Sequence, residues 1–90
     1  YELATIAELN TARLEHLFQL NVLSQFVLVR EAVKHWQSKP TMPEGRSIIV
    51  TTSVQAFKGS PGTPEYATSK GAQVTFIRSM ALQLAKQGIR

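Results

Sequence analysis

Tyr66 and Lys70 stand four residues apart in Glu65-Tyr66-Ala67-Thr68-Ser69-Lys70. In a helix that spacing places both side chains on one face, one turn apart. A cation beside a phenol favours the phenolate and lowers its pKa from about 10. The expected result is a group that gives and takes a proton near neutral pH. Ser53 adds a hydroxyl 13 residues before Tyr66, and Asn21 adds an amide further upstream. A phenol, an ammonium, a hydroxyl and an amide form a set suited to moving a proton on and off a carbonyl oxygen. Tyr-x-x-x-Lys by itself is a weak signal, because an amphipathic helix whose lysine reaches out to water carries the same pattern.

The elements that must position these residues are legible in the pattern. Thr5-Ile6-Ala7-Glu8 has capping-box spacing and predicts a short turn. Asn10-Thr11 reads as the start of a helix over 11–36. Its Leu14, Leu17, Phe18, Asn21, Leu28 and Ala32 share one face, while Val22, Leu23, Phe26 and Val27 make the opposite side apolar too. A helix apolar on both sides is expected to be buried on both, here against a sheet and against a second subunit. Gln37 to Gly45 holds two prolines and reads as a loop. Ser47-Ile48-Ile49-Val50-Thr51-Thr52 is short and β-branched, as in a buried parallel strand, and Ser53 closes it. Ligands bind at that end of strands in open α/β sheets.

Val54 to Thr63 reads as a Gly/Pro/Ser loop. Thr63-Pro64-Glu65 then gives an N-cap hydroxyl, a proline at the first helical position and an acid in the first turn. The predicted helix runs over 64–87 and stops at Gly88. Tyr66, Lys70, Val74, Ile77, Ala81 and Leu84 form one stripe on it. Lys70 thus falls on an apolar face, where a bare charge is costly without a partner. Helix, strand, helix leaves one strand without neighbours. The expectation is therefore a portion of a larger α/β domain, and the start at Tyr1 rather than Met agrees with it.

Composition narrows the function. The 90 residues are 43% hydrophobic and 18% charged, which excludes a disordered chain. There is no cysteine, so neither a disulfide framework nor a thiolate metal site is available, and a reducing, cytoplasmic setting is expected. His16 and His35 lack ligand spacing, so no metal is expected. The net charge of +4 comes from scattered lysines and arginines rather than a stripe, which weakens a nucleic-acid reading. Gly59-Ser60-Pro61-Gly62 lacks the Lys-Ser/Thr of a phosphate loop and reads as a turn. Gln55, two residues past Ser53, could line a substrate pocket.

The run Ser-Ile-Ile-Val-Thr-Thr-Ser53, then Gly-Ser-Pro-Gly-Thr-Pro-Glu-Tyr66-Ala-Thr-Ser-Lys70-Gly-Ala, then Ala-Leu-Gln-Leu-Ala-Lys-Gln-Gly-Ile-Arg90 resembles the active-site half of a short-chain dehydrogenase/reductase. Leu17-Phe18-Gln19-Leu20-Asn21-Val22 resembles that family's segment with its catalytic Asn. The resemblance implies a three-layer Rossmann-like doubly wound parallel sheet, of which residues 1–90 are a helix–strand–helix part. It implies an enzyme that interconverts an alcohol and a carbonyl with NAD or NADP.

In the roles it implies, Tyr66 is the acid/base, and Lys70 assists it and holds the nicotinamide ribose. Ser53 steadies the substrate oxygen, and Asn21 holds a water that links Lys70 to solvent. The glycine-rich phosphate loop and the residue choosing NAD or NADP are expected upstream of Tyr1, and the substrate loop beyond Arg90. Ser24 stands where a glycine is common. The partner expectation is a homodimer or homotetramer through helices 11–36 and 64–87, with no nucleic acid and no membrane. A dinucleotide-binding sensor or scaffold is the alternative, and a small basic nucleic-acid-binding module a weaker one.

Overall fold

A computed structural model describes residues 3–39 and 45–90. Asn10 starts the first helix: its Oδ1 accepts the Arg13 amide at 2.7 Å, satisfying one of the donors a helix start leaves open. Helix α1 (Thr11–Phe18) passes into a π-helical turn (Gln19–Leu23) and then into α2 (Ser24–Gln37), with helical backbone at both junctions. Helix α3 is one turn long (Gln55–Lys58), and α4 spans Pro64–Leu84. Single 3₁₀ turns lie at Ile6–Glu8 and Ala85–Gln87. At the first, the predicted capping box forms: the Thr5 amide and hydroxyl both donate to Glu8 Oε1, at 2.9 and 2.8 Å. At the second, Gly88 takes a left-handed φ of 72° and ends the helix as its sequence position predicted.

Two rods, α1–α2 and α4, lie side by side. Arg13 meets Glu65, Asn21 meets Ser69 and Gln73, Phe26 meets Phe76, and Gln37 meets Gln87. Both numbers rise together, so the rods run parallel. The segment after Gly45 runs the other way: Arg46 touches the Gln87 carbonyl, Thr52 touches the Lys70 carbonyl, and Gly62 bonds Ala4 at the opposite end. Parallel helices joined by a returning segment are the unit from which a parallel α/β layer is built.

The returning segment is not the regular strand that Ser47 to Thr52 predicted. Among the described residues no strand is formed, and Ile49 is 89% exposed. The Arg90 amide donates to the Arg46 carbonyl at 3.2 Å, and the Arg90 carbonyl accepts the Ile48 amide. That alternation is the pattern of a parallel pair about Ser47. Strand geometry is completed by neighbours, and among the described residues Arg90 alone pairs with this backbone. Most of the proline loop, residues 40–44, lies outside the described residues. The loop expected over Val54 to Thr63 is corrected by α3, which forms inside it.

The π-turn explains why the predicted buried face holds only in its first half. Leu17 is buried and Asn21 half-buried as expected, but Leu28 is 66% exposed. One extra residue in the turn rotates everything after it. The seam toward α4 therefore continues through Phe26, Val29 and Val33 instead, while Leu28 and Ala32 border residues 47–50. Phe26 and Phe76 meet in this seam with ring centroids 4.4 Å apart and planes tilted by 47°.

On α4 the correction is similar. Glu65, Ser69, Gln73, Phe76 and Leu84 are the buried residues facing the first rod. The predicted stripe of Tyr66, Lys70, Val74 and Ile77 is half-buried one position round, and Ala81 is exposed. Ile77 and Ala81 border Ile48, so this stripe faces the returning segment.

Candidate active site

Helix α4 begins where Pro64 supplies a preset φ, and its first two turns carry Tyr66 and Lys70. Thr63 occupies the N-cap position, but its hydroxyl caps nothing. It sits 2.8 Å from the Ser60 hydroxyl and 3.5 Å from Gln55 Oε1, which ties the end of the loop together. This corrects the predicted cap.

The helix start is held by charge instead. Glu65, with a fully buried side chain, lies 3.6 Å from the Arg13 guanidinium, whose side chain is 23% exposed. A carboxylate in the first turn is also favoured by the helix dipole. The pair pins the residue before Tyr66 to the start of α1.

The Lys70 ammonium lies over the Tyr66 ring, 5.6 Å from its centroid. That is within cation–π range, and both residues are half-buried. The spacing of four therefore gives the juxtaposition its sequence position implied. The returning segment is fastened at the same level. The Thr52 hydroxyl donates to the Lys70 carbonyl at 2.8 Å, and the α3 backbone passes Gly71 closely enough that a Cβ there would lie 3.6 Å from the Ala56 carbonyl oxygen.

Ser53, the next residue after Thr52, is thus carried to the flank of α4. Its Oγ accepts the Gln55 amide at 3.2 Å and its carbonyl accepts the Ala56 amide at 3.0 Å, so Ser53 leads directly into α3, whose N-cap is Val54. An accepting hydroxyl keeps its own hydrogen to donate.

Asn21 reaches this helix from the π-turn. Its Nδ2 donates to Ser69 Oγ at 3.1 Å, and Ser69 Oγ donates to the Tyr66 carbonyl at 2.8 Å. Its own carbonyl accepts Gln73 Nε2 at 2.7 Å. Asn21 is therefore connected to Tyr66 through Ser69. The four residues singled out by type all lie on or against the N-terminal half of α4.

Sequence reasoning missed Arg13, Thr52, Glu65, Ser69 and Gln73. Glu65, Ser69 and Gln73 recur every four residues, a stripe that reads as a solvated face unless its partner is known. Gln55, expected in a substrate pocket or as a plain loop residue, has its Oε1 3.5 Å from the Thr63 hydroxyl. Among the described residues no three His, Cys, Asp or Glu cluster as metal ligands, and no helix is long and apolar enough to cross a membrane.

The arrangement offers a phenol hydroxyl, an ammonium with N–H donors and a hydroxyl donor on one side of one helix. A family model described as short chain dehydrogenase matches residues 1–90. The chain is 50% identical over 90 residues to NADPH-dependent aldehyde reductase 1, chloroplastic, of Arabidopsis thaliana, covering 100% of this chain and 29% of that protein. It is 50% identical over 86 residues to glucose and ribitol dehydrogenase homolog 2 of the same plant, covering 96% of this chain and 28% of that protein. It is 40% identical over 90 residues to glucose and ribitol dehydrogenase of Daucus carota, covering 100% of this chain and 29% of that protein. The chain therefore spans less than a third of the length of the relatives it matches.

Proposed function

The chain belongs to the short-chain dehydrogenase family, an oxidoreductase family of Rossmann fold, and from that premise we propose that the intact protein interconverts an alcohol and a carbonyl with NAD or NADP. Residues 1–90 are, in this reading, the active-site portion of one Rossmann-like domain. The glycine-rich nucleotide half precedes them and the substrate loop follows. The observation that carries the proposal is the Lys70 ammonium over the Tyr66 ring, at the level where Thr52 fastens the Ser53 segment to α4.

Each residue has a part. The Tyr66 hydroxyl gives its proton to the carbonyl oxygen during reduction and takes it back during oxidation. Ser53 donates its free hydroxyl hydrogen to the same oxygen and steadies the charge that develops there. Lys70 has three donors on a half-buried ammonium, a set that fits the paired hydroxyls of a nicotinamide ribose while keeping a positive charge beside the phenol. Asn21 fixes the backbone of Tyr66 through Ser69, and its Oδ1 is the atom left to hold a water that resupplies the proton to Lys70. When bound, the dinucleotide supplies or accepts the hydride.

The relatives' names, one an aldehyde reductase and two glucose and ribitol dehydrogenases or homologues, favour small polar aldehydes and sugar alcohols as substrates. The apolar outer stripe of Leu20, Leu23 and Val27, 62%, 55% and 45% exposed, supports a homodimer or homotetramer through the two rods. The absence of cysteine suits a reducing compartment, and we assign the cytoplasm.

The test is oxidation of NADH and NADPH by the intact protein with a panel of short aldehydes, and reduction of NAD and NADP with glucose and ribitol. Stoichiometric exchange between one dinucleotide and one substrate is expected. Tight dinucleotide binding with no turnover of any panel member would favour a sensor or scaffold instead.

A further inference from the structure

We infer that Gln73 is a positioning residue, one that holds the π-turn of Asn21 so that the Tyr66–Lys70 face is presented in one geometry. The inference rests on the reading of Tyr66 and Lys70 given above. A π-turn interrupts the i→i−4 ladder and releases carbonyls that must find other donors. Two carbonyls of this turn take side-chain donors. Ser24 Oγ donates to the Leu20 carbonyl from within the turn's own rod. Gln73 Nε2 donates to the Asn21 carbonyl across the seam.

A carbonyl can only accept, so the Gln73 amide must present its nitrogen here. Its oxygen is then left buried without a donor among the described residues, in a side chain whose residue is 3% exposed. An apolar side chain at position 73 would avoid that desolvation cost and would fill the seam equally well. The donor to Asn21 is what the glutamine adds.

The consequence reaches the site by a short route. With its carbonyl held by Gln73, Asn21 has its side chain free to reach Ser69, and Ser69 in turn holds the Tyr66 carbonyl. Ser69 and Gln73 are one turn apart on α4 and flank Lys70, so the two contacts brace the helix on either side of the ammonium. Without the Gln73 donor, the turn loses this tie to α4 and relaxes toward regular helix, which rotates Asn21 away from Ser69.

The test uses the intact protein with Gln73→Met, which keeps length and apolar volume but removes the donor. Amide hydrogen exchange without dinucleotide is read over residues 19–25. We expect exchange faster by about 10-fold there, and kcat lower by about 10-fold with KM within about 2-fold of wild type. A residue that merely packs would lower the melting temperature and leave both readings unchanged, and that result overturns the inference.

Should Gln73→Met fail to fold, Gln73→Leu removes the same donor with a branched apolar side chain. It is expected to give the same exchange change and the same kcat loss, and unchanged values overturn the inference equally. If wild type turns over no substrate, the functional reading fails, while the exchange measurement still decides whether Gln73 holds the turn.

Discussion

Ser69→Ala removes one oxygen from a residue with no exposed surface, and its cost can be worked from the contacts. The hydroxyl gives one hydrogen bond to the Tyr66 carbonyl at 2.8 Å and takes one from Asn21 Nδ2 at 3.1 Å. Each net bond is worth about 1 kcal/mol. Asn21 is half-buried, so its abandoned Nδ2 recovers some solvation and adds less than the full penalty, about 0.5 kcal/mol. The expected loss is about 2–3 kcal/mol. It is read as a shift in urea midpoint for the intact protein at fixed concentration, because association adds to apparent stability. Asn21→Ala removes only the second bond. The double variant should then lose less than the sum of the singles by about 1 kcal/mol. Strict additivity, or a loss for Ser69→Ala below about 0.5 kcal/mol, would refute the claim that Asn21 acts on Tyr66 through Ser69.

Three further outcomes follow from the same geometry. Arg13→Ala removes the cation 3.6 Å from the buried Glu65 carboxylate, and should cost about 3 kcal/mol by urea unfolding, whereas Arg13→Lys should recover part of it. Gly88→Ala forces a φ of 72° on a side-chain-bearing residue with an Arg46 nitrogen 3.3 Å from the new Cβ, and should lower stability by about 1 kcal/mol in the same assay. The Glu8 carboxyl sits below its ordinary 4.5, held down first by the Thr5 backbone bond and then by the Thr5 hydroxyl. Its folded value is depressed, so its contribution is present above the unfolded value and is lost as pH falls through the folded one. An NMR titration should show Glu8 moving back up toward 4.5 in Thr5→Ala, though only part of the way.

What the sequence made legible was local. Asn10, Pro64 and Gly88 mark helix ends by chemistry that acts within a few residues, and all three ends fall where they point. Tyr66 and Lys70 meet because a helix fixes their spacing, so their contact needed no knowledge of the rest. The seam was not legible. Its register depends on the π-turn, and nothing in Gln19 to Leu23 marks an extra residue there, while the Gln73 amide that bonds the Asn21 carbonyl lies 52 positions away. The Glu65–Arg13 pair is hidden for the same reason, since its members are 52 positions apart. The strand expected from Ser47 to Thr52 is not formed among the described residues, because β-branched composition proposes a strand but only neighbouring backbone makes one.

The account depends on the Tyr66 oxygen being the atom that exchanges a proton with substrate. The direct measurement is Tyr66→Phe in the intact protein, with dinucleotide affinity and single-turnover hydride transfer read side by side. Loss of one hydroxyl should lower the hydride-transfer rate by about 10³-fold, while the dinucleotide Kd stays within about 3-fold of wild type. A phenylalanine variant that still transfers hydride at a rate close to wild type would contradict the account.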